Sequence, residues 1–273
     1  MTKKILVITH VDPTKKSSGQ EQRVFNVIKT LSLKHSVILL TVIKNNEKED
    51  FKKKLNGVVD QFILLSNIYN TFYFKFFLRI FGAFYVLFSG LKFSNFIINY
   101  IEFNKFRVIN ALKNHLDIDQ IDYVVYEYWH CYNTVNFFKK NNIPTVLDMH
   151  NVLWQTYRAQ ISNNFLTNFR VNRYKKIEEK ILSKFDKLIT INRNEDNYIR
   201  QKFPEKEIVL AKMGLDTSLW PFDKIINREI LIVFFGGLST EHNRKSADFI
   251  AEEIIPTIVK KYVSTWNSGV QTH

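Results

Sequence analysis

The sequence predicts an α/β fold in which helices cover both faces of a mostly parallel sheet. Short apolar runs rich in β-branched residues alternate with longer amphipathic segments along most of the chain. No repeat of roughly 20–50 residues recurs, so a solenoid or a propeller is not expected. The composition, 45% hydrophobic and 24% charged among 273 residues, is that of a globular protein with a sizeable core.

Seven strands are predicted in the first 213 residues, each a short apolar run bounded by polar or turn residues. They cover residues 4–9, 36–43, 61–65, 122–128, 144–148, 187–191 and 207–212. Helices are predicted after Ser18, where Glu21 completes the spacing of a capping box, across 168–184, and from Asn194. Ligands of such sheets bind where strands end and loops lead into helices. His10 and the segments 127–130 and 148–151 lie at such positions.

A second domain is predicted to begin after a linker at 214–228. Residues 229–235 form an apolar run, Gly236 and Gly237 follow it, and a helix is predicted over 245–261. One βα unit has too little surface to bury a core of its own. The predicted division is therefore a first domain at 1–213, the linker, an incomplete second domain at 229–262 and an aberrant tail at 263–273.

The chain is strongly basic, with a formal charge of +13 and a pI near 9.6. This excess favours polyanionic partners, although a lysine-rich proteome alone would produce it. The lysines are scattered and no nucleic-acid reader motif occurs, so nucleic-acid binding is not expected. Cys131 is the single cysteine, which excludes an internal disulfide. The N-terminus lacks the roughly 7–15 apolar residues of a signal peptide, and together these features favour the cytoplasm.

Aromatic side chains are concentrated between residues 62 and 106, where 16 occur, and the segment 61–101 contains no acidic residue. Its longest mostly apolar stretch, 80–91, is shorter than the ~18–20 residues that a membrane-spanning helix requires. An aromatic and basic helix is typical of the membrane interface. We expect segment 61–101 to bind the anionic inner face of the cell membrane. The alternative is a helical hairpin that packs on the sheet.

Six segments occur in the order expected for one known family. They are GQEQRVFNVIKTL, DYVVYEYWH, NNIPTVLDMHNV, EEKILSKFDKLITINRNEDNYI, IVLAKMGLDTSLWPF and ILIVFFGGLSTEHNRKSADFIAEEIIPTI. Together they resemble glycosyltransferase family 4, the retaining enzymes of the GT-B fold, across nearly the whole chain. The resemblance implies a GT-B-type, Rossmann-like first domain followed by the first βα unit of a second Rossmann-like domain.

The resemblance also implies transfer of a sugar from a nucleotide-sugar donor to a glycan or lipid-linked acceptor in cell-surface polysaccharide synthesis. The first domain would hold the acceptor and the second the donor, which is a substrate, so no cofactor is expected. The family's donor domain carries an E-x7-E signature that this chain does not reach. We therefore expect the 273-residue chain to be truncated and inactive alone. A non-catalytic module that binds an acceptor or a membrane is the alternative.

Four residues are assigned to acceptor binding. Gly19 is placed in the loop between the first strand and the first helix, where a residue without a Cβ lets backbone N–H groups approach a phosphate or sugar at the helix N-terminus; a turn glycine is the alternative. Arg23, one turn later, is expected to pair with a phosphate or to lie in solvent. Asp148 and His150 follow the fifth strand, where Asp148 would fix the tautomer of His150 or cap a turn.

His130 is the predicted catalytic residue. Imidazole titrates near neutral pH, so a histidine after a strand suits substrate contact or acid–base catalysis; a structural histidine is the alternative. Glu127 is a weaker candidate than His130, because strand alternation directs its side chain to the face opposite Tyr128. No metal site is expected, because no third ligand has suitable spacing from His130 and His150.

The predicted second domain carries the donor-phosphate candidates. Gly236 and Gly237 would let a diphosphate approach the following helix, whose N-terminus favours anions. Arg244 would add positive charge at that place. Without the family resemblance, a glycine pair after a strand is more simply an ordinary turn.

Overall fold

The computed structural model describes residues 2–68, 101–159, 163–214 and 241–261, together with Phe76, Asn99, Ile161, Phe234 and Leu238. Most of the segment 61–101 and of the predicted strand 229–235, the pair Gly236 and Gly237, and the tail 263–273 lie outside the described residues. The chain divides into two compact units, Met1–Leu215 and Asp216–His273. The finer domain limits given above stay predictions.

The first unit is built on one sheet of seven parallel strands in the order β3-β2-β1-β4-β5-β6-β7. The strands are β1 Lys4–Thr9, β2 Ser36–Ile43, β3 Gln61–Ser66, β4 Tyr123–Glu127, β5 Thr145–Asp148, β6 Lys187–Thr190 and β7 Glu207–Leu210. The predicted α/β fold with a parallel sheet is confirmed. The strand order runs one way from β1 to β3 and the other way from β4 to β7. Ligands of open parallel sheets bind at such a reversal, here between β1 and β4.

Helices cover both faces of this sheet. Those described in the first unit include α1 Gly19–Ser32, α2 Lys48–Lys54, α3 Lys105–His115, α4 Val135–Lys140, α5 Leu153–Ala159, α6 Phe165–Leu182 and α7 Arg193–Lys202. Val7 packs in one apolar core with Val24 of α1, whereas Leu6 packs in the other core with Leu112 of α3. Neighbouring residues of β1 thus enter opposite cores, as a strand buried on both faces requires.

Two helix starts show how local capping sets the boundaries. Ser18 caps α1 by accepting from the Glu21 N–H, and the Glu21 side chain accepts from the Ser18 N–H, which is the predicted capping box. Helix α6 begins before the predicted residue 168, because Asn164 and Thr167 form a second capping box there. That box uses Asn and Thr instead of Ser and Glu, a less obvious sequence signal.

In the second unit, helix α8 covers Glu241–Phe249 and continues through a π-helical turn at Ile250–Ile254 to residue 261. It begins earlier than the predicted residue 245. Across the described ranges of both units, no helix combines the length and the apolar character needed to cross a bilayer.

Candidate functional site

The carboxyl ends of β1, β4 and β5 place three polar residues side by side. Thr9 pairs with Glu127 and Glu127 with Asp148 in the parallel register. Val7 and Val125, two residues earlier on their strands, belong to the core that α1 covers, so the polar side chains at the strand ends face α1. Thr9, Glu127 and Asp148 are fully buried. A polar layer therefore ends the sheet beside the strand-order reversal.

Arg23 of α1 forms an ion pair with Asp148. Its Nε lies 3.0 and 2.8 Å from the two carboxylate oxygens, and its Nη2 lies 2.8 Å from Oδ1. Its Nη1 donates to the carbonyl of Ala211 at 3.0 Å. The exposed fractions of the Arg23 and Asp148 side chains are 7% and 1%. The expectation of a solvated Arg23 is therefore wrong. Binding of a phosphate by Arg23 stays a prediction, and the phosphate would compete with Asp148.

Glu127 and His150 form a buried hydrogen bond across neighbouring strand ends. Oε2 of Glu127 lies 2.6 Å from Nε2 of His150. Burial raises the pKa of Glu127 to about 8, against the opposing effect of the Arg23 charge. Burial also lowers the pKa of His150 to about 4. At neutral pH the protonated carboxyl therefore donates to a neutral imidazole and leaves the His150 proton on Nδ1. Glu127, and not Asp148 as expected, sets the tautomer.

The backbone turns sharply directly after β4 and β5. Tyr128 has φ 69° and His150 has φ 53°, both in the left-handed region that favours glycine. Such conformations cost about 1–3 kcal/mol each for residues with side chains, and they cluster at functional sites. The turn ends β4 at Glu127 and breaks the strand alternation at Tyr128. The side chains of both residues therefore reach His150, and the ring of Tyr128 stacks on it at 4.3 Å.

Three imidazoles surround the Tyr128 ring. The ring centroids of His10, His130 and His150 lie 5.3, 5.7 and 4.3 Å from that of Tyr128. Burial, together with the charges of the other two histidines, lowers the pKa of His10 well below its usual range. Burial lowers the pKa of His130 to about 4. The histidine cluster of His10, Tyr128, His130 and His150 is thus uncharged at neutral pH. Its neutral rings have the chemistry to donate and accept hydrogen bonds with hydroxyl groups.

Glu178 of α6 connects the segments that follow β4 and β5. It is fully buried. Its Oε1 accepts from the Trp129 indole and the Leu153 backbone N–H, both at 2.9 Å, and its Oε2 accepts from the Trp154 N–H at 2.8 Å. Burial raises the pKa of Glu178 to about 7. The sequence analysis did not identify Glu178 as a site residue. The feature that could have identified it is a carboxylate on the inner, apolar stripe of a predicted helix.

Gly19 is the first residue of α1 and not part of the preceding loop, where the sequence analysis predicted it to lie. A Cβ added there would lie 3.0 Å from Cε of Met213, so close packing is one reason for a glycine. The Glu21 carboxylate already accepts from the backbone N–H groups of Ser17 and Ser18, at 2.7 and 3.0 Å. It would repel a phosphate at this helix end. Ligand binding at Gly19 stays a prediction.

Glu127, Asp148 and His150 each offer one atom suited to a metal ion, and these atoms lie within 4.8 Å of one another. Sequence spacing from the histidines did not reveal this grouping. Arg23 holds Asp148, and Glu127 is bonded to His150, so a cation would have to displace both interactions. The expectation that the protein binds no metal stays a prediction.

Of the donor-side candidates, Arg244 lies among the described residues. Its Nη1 donates to the carbonyl of Leu238 at 3.1 Å. Gly236 and Gly237 lie outside the described residues. The assignment of these three residues to a donor diphosphate therefore stays a prediction.

No protein-family model matches the sequence, and no curated protein matches it. The solved structures similar to this chain include Medicago truncatula UGT71G1 complexed with UDP-glucose, at 13% identity and a TM-score of 0.48, covering 78% of this chain and 51% of the other. Sucrose-phosphate synthase from Thermosynechococcus elongatus matches at 14% identity and a TM-score of 0.44, covering 80% and 49%. A UDP-glucosyltransferase from Polygonum tinctorium matches at 8% identity and a TM-score of 0.47, covering 79% of this chain and 53% of the other. The chain spans about half the length of each.

Proposed function

We propose that this chain acts as a GT-B glycosyltransferase whose first unit binds the acceptor. The proposed reaction transfers a sugar from a nucleotide-sugar donor to a glycan or lipid-linked acceptor in cell-surface polysaccharide synthesis. The observation that carries the proposal is the uncharged histidine cluster at the strand-order reversal of a parallel sheet. Neutral imidazoles beside an aromatic ring suit a ligand rich in hydroxyl groups. The order of the six family-like segments supports the reaction class.

His130 is assigned the contact to the acceptor hydroxyl that attacks the donor sugar. A neutral imidazole accepts a hydrogen bond from that hydroxyl and orients its lone pair. Because the pKa of His130 is about 4, the ring does not retain the hydroxyl proton, which leaves with the nucleoside diphosphate as the bond between sugar and phosphate breaks. Glu127 orients His150, and the pair of Arg23 and Asp148 holds α1 against the same strand end.

The donor is proposed to bind with its diphosphate at Gly236, Gly237 and Arg244 as a substrate, without a further cofactor. The proposed location is the cytoplasm, with attachment to the inner face of the cell membrane through segment 61–101. The basic charge of the chain, +13, supports attraction to both anionic partners.

Acceptor binding by the 273-residue chain tests the proposal without requiring turnover. The chain, labelled with ¹⁵N in its histidines, would be titrated with short oligosaccharides of glucose, galactose and N-acetylglucosamine. Each would be tested free and as a soluble isoprenyl diphosphate conjugate. We expect at least one acceptor to shift the imidazole signals of His130 and His150, whereas UDP-glucose alone leaves them unchanged.

His130→Gln is the matched variant, because it keeps a polar side chain but removes the imidazole. Its affinity for that acceptor is expected to fall about tenfold, the loss of one good hydrogen bond. The control is His115→Gln, at an exposed histidine on α3. This variant should bind the acceptor with unchanged affinity. Signals that stay unmoved by every acceptor, or a His130→Gln variant that binds as tightly as the parent, would overturn the assignment.

A further inference from the structure

Helix α6 begins with an exposed apolar surface. The exposed fractions of Phe165, Leu166 and Phe169 are 91%, 55% and 55%. Residues four apart lie on the same side of a helix, so Phe165 and Phe169 form one stripe that continues to Arg173. Large apolar side chains grouped at this level of exposure mark an interaction surface more often than isolated ones do.

The charges around these side chains have one sign. Residues 149–177 contain five lysines and arginines and no aspartate or glutamate. Arg170, Arg173 and Lys176 follow the phenylalanines on α6. In the part of the chain that the structure describes, the ion pair within α6 joins Lys175 to Glu179 and involves none of these three. The surface is therefore apolar at its tip and cationic behind it.

Helix α6, which carries this surface, is fixed by a cap, by a hydrogen bond to α5 and by its buried side. Asn164 caps its first turn. Arg158 of α5 donates to Asn168 of α6 at 2.8 Å, which ties the two helices together. On the opposite side of α6, Val171 and Leu182 are buried. Phe165 and Phe169 are thus presented outward by a helix whose other side is anchored in the first unit.

We propose that this surface binds an anionic phospholipid bilayer. The Phe165 surface consists of Phe165, Leu166, Phe169, Arg170, Arg173 and Lys176. Its apolar tip inserts at the boundary between headgroups and acyl chains, and the cations behind it contact lipid phosphates. The absence of any acidic residue from 149 to 177 favours a polyanionic sheet of headgroups over a protein partner of mixed charge.

This inference goes beyond the proposed sugar transfer and does not depend on it, because lipid binding is measured without donor or acceptor. It is also separate from the attachment predicted for segment 61–101. Helix α5 directly follows the His150 turn, and Arg158 of α5 contacts α6. A bilayer at the Phe165 surface would therefore lie on the side of the first unit that carries the strand-end loops.

Vesicle co-flotation of the purified chain tests the proposal. Vesicles of phosphatidylcholine with about 30% phosphatidylglycerol are expected to bind the chain, and vesicles of phosphatidylcholine alone to bind at least tenfold less. The double variant Phe165→Ser, Phe169→Ser is expected to weaken binding about tenfold or more. Leu33→Ser is the matched control, because Leu33 is also apolar and is 75% exposed but lies at the C-terminal end of α1.

A site-specific probe separates this surface from any other lipid contact. Cys131 is buried, so a cysteine introduced by Phe165→Cys is the accessible thiol for a polarity-sensitive fluorophore. Anionic vesicles should shift its emission to the blue, whereas the same probe at Leu33→Cys should stay unchanged. An unshifted probe, equal binding by the double serine variant, or equal binding to uncharged vesicles would each overturn the proposal. A dimer that forms through this surface without vesicle binding would also overturn it.

Discussion

Glu127 and His150 meet at the ends of neighbouring strands through a hydrogen bond of 2.6 Å in the protein interior. Neither residue carries a charge at neutral pH, because burial raises the pKa of the carboxyl to about 8 and lowers that of the imidazole to about 4. A charged pair at this depth would need further partners to offset desolvation. The neutral pair instead keeps His150 in one tautomer beside Tyr128.

Glu127→Gln is expected to remove a loss of stability that the parent chain shows from about pH 7 to about pH 8. The folded protein keeps the Glu127 proton up to about pH 8, whereas the unfolded chain releases it near 4.5. The free energy of unfolding therefore falls as the pH rises through this range, by at most about 1.4 kcal/mol per pH unit. Glutamine has no such proton. Urea unfolding of both proteins at the two pH values measures the difference.

The range from pH 7 to pH 8 lies well above the pKa values of His130 and His150. Their pKa values in the folded protein are about 4, below the ordinary value of 6.5. These histidines therefore lower the free energy of unfolding only as the pH falls below 6.5. Other groups that titrate above pH 7 are common to both proteins and cancel in the comparison. Parallel pH slopes for the parent and for Glu127→Gln would contradict a protonated Glu127.

Arg23→Gln is expected to destabilise the first unit by about 3–5 kcal/mol, because it leaves the buried Asp148 carboxylate without its cation. In the double variant Arg23→Gln, Asp148→Asn much of this loss should return, because the unpaired charge is gone. Urea unfolding of the two single variants and the double variant gives the coupling energy. Lys44→Gln breaks the exposed pair of Lys44 and Glu47 and should cost less than about 1 kcal/mol. Additive effects at Arg23 and Asp148 would refute the coupling.

Tyr128→Gly is expected to be more stable than Tyr128→Ala by about 1 kcal/mol, although both lose the ring. The φ of 69° at this position favours glycine and strains alanine. At Tyr123, within β4, the order should reverse, because glycine weakens a strand. Thermal unfolding of the four variants measures both differences. The same ranking at both positions would show that the left-handed turn after β4 is absent.

Glu178→Ala is expected to cost about 3 kcal/mol, because it leaves the Leu153 and Trp154 N–H groups and the Trp129 indole without their acceptor. Glu178→Gln keeps one acceptor oxygen and should fall between this variant and the parent. Hydrogen exchange at Leu153 and Trp154 should accelerate most in the alanine variant. The control is Glu49→Ala, at a side chain that is 88% exposed, and it should change the free energy of unfolding little. Unchanged exchange at both amides would contradict the anchoring role.

Local sequence patterns were sufficient to predict the parallel sheet and the edge that carries the histidines. Apolar runs, caps and turn residues act over a few positions, so β1, β2 and the start of α1 match their predicted limits. Because parallel strands end at one edge, the order of the predicted strands was sufficient to place His10, His130 and His150 at that edge.

The partners of the site residues depended on the tertiary structure. Arg23 and Asp148 are 125 positions apart, and Glu178 bonds the Trp129 indole from 49 positions away. Strand alternation predicted Glu127 on the face opposite Tyr128. The left-handed turn at Tyr128, which has no local sequence signal such as a glycine, instead lets both side chains reach His150. Burial then set the charges, since the pKa of each carboxyl and imidazole depends on surroundings that distant segments create. Residue type and spacing therefore located the site, and long-range packing determined which side chains pair and which are neutral.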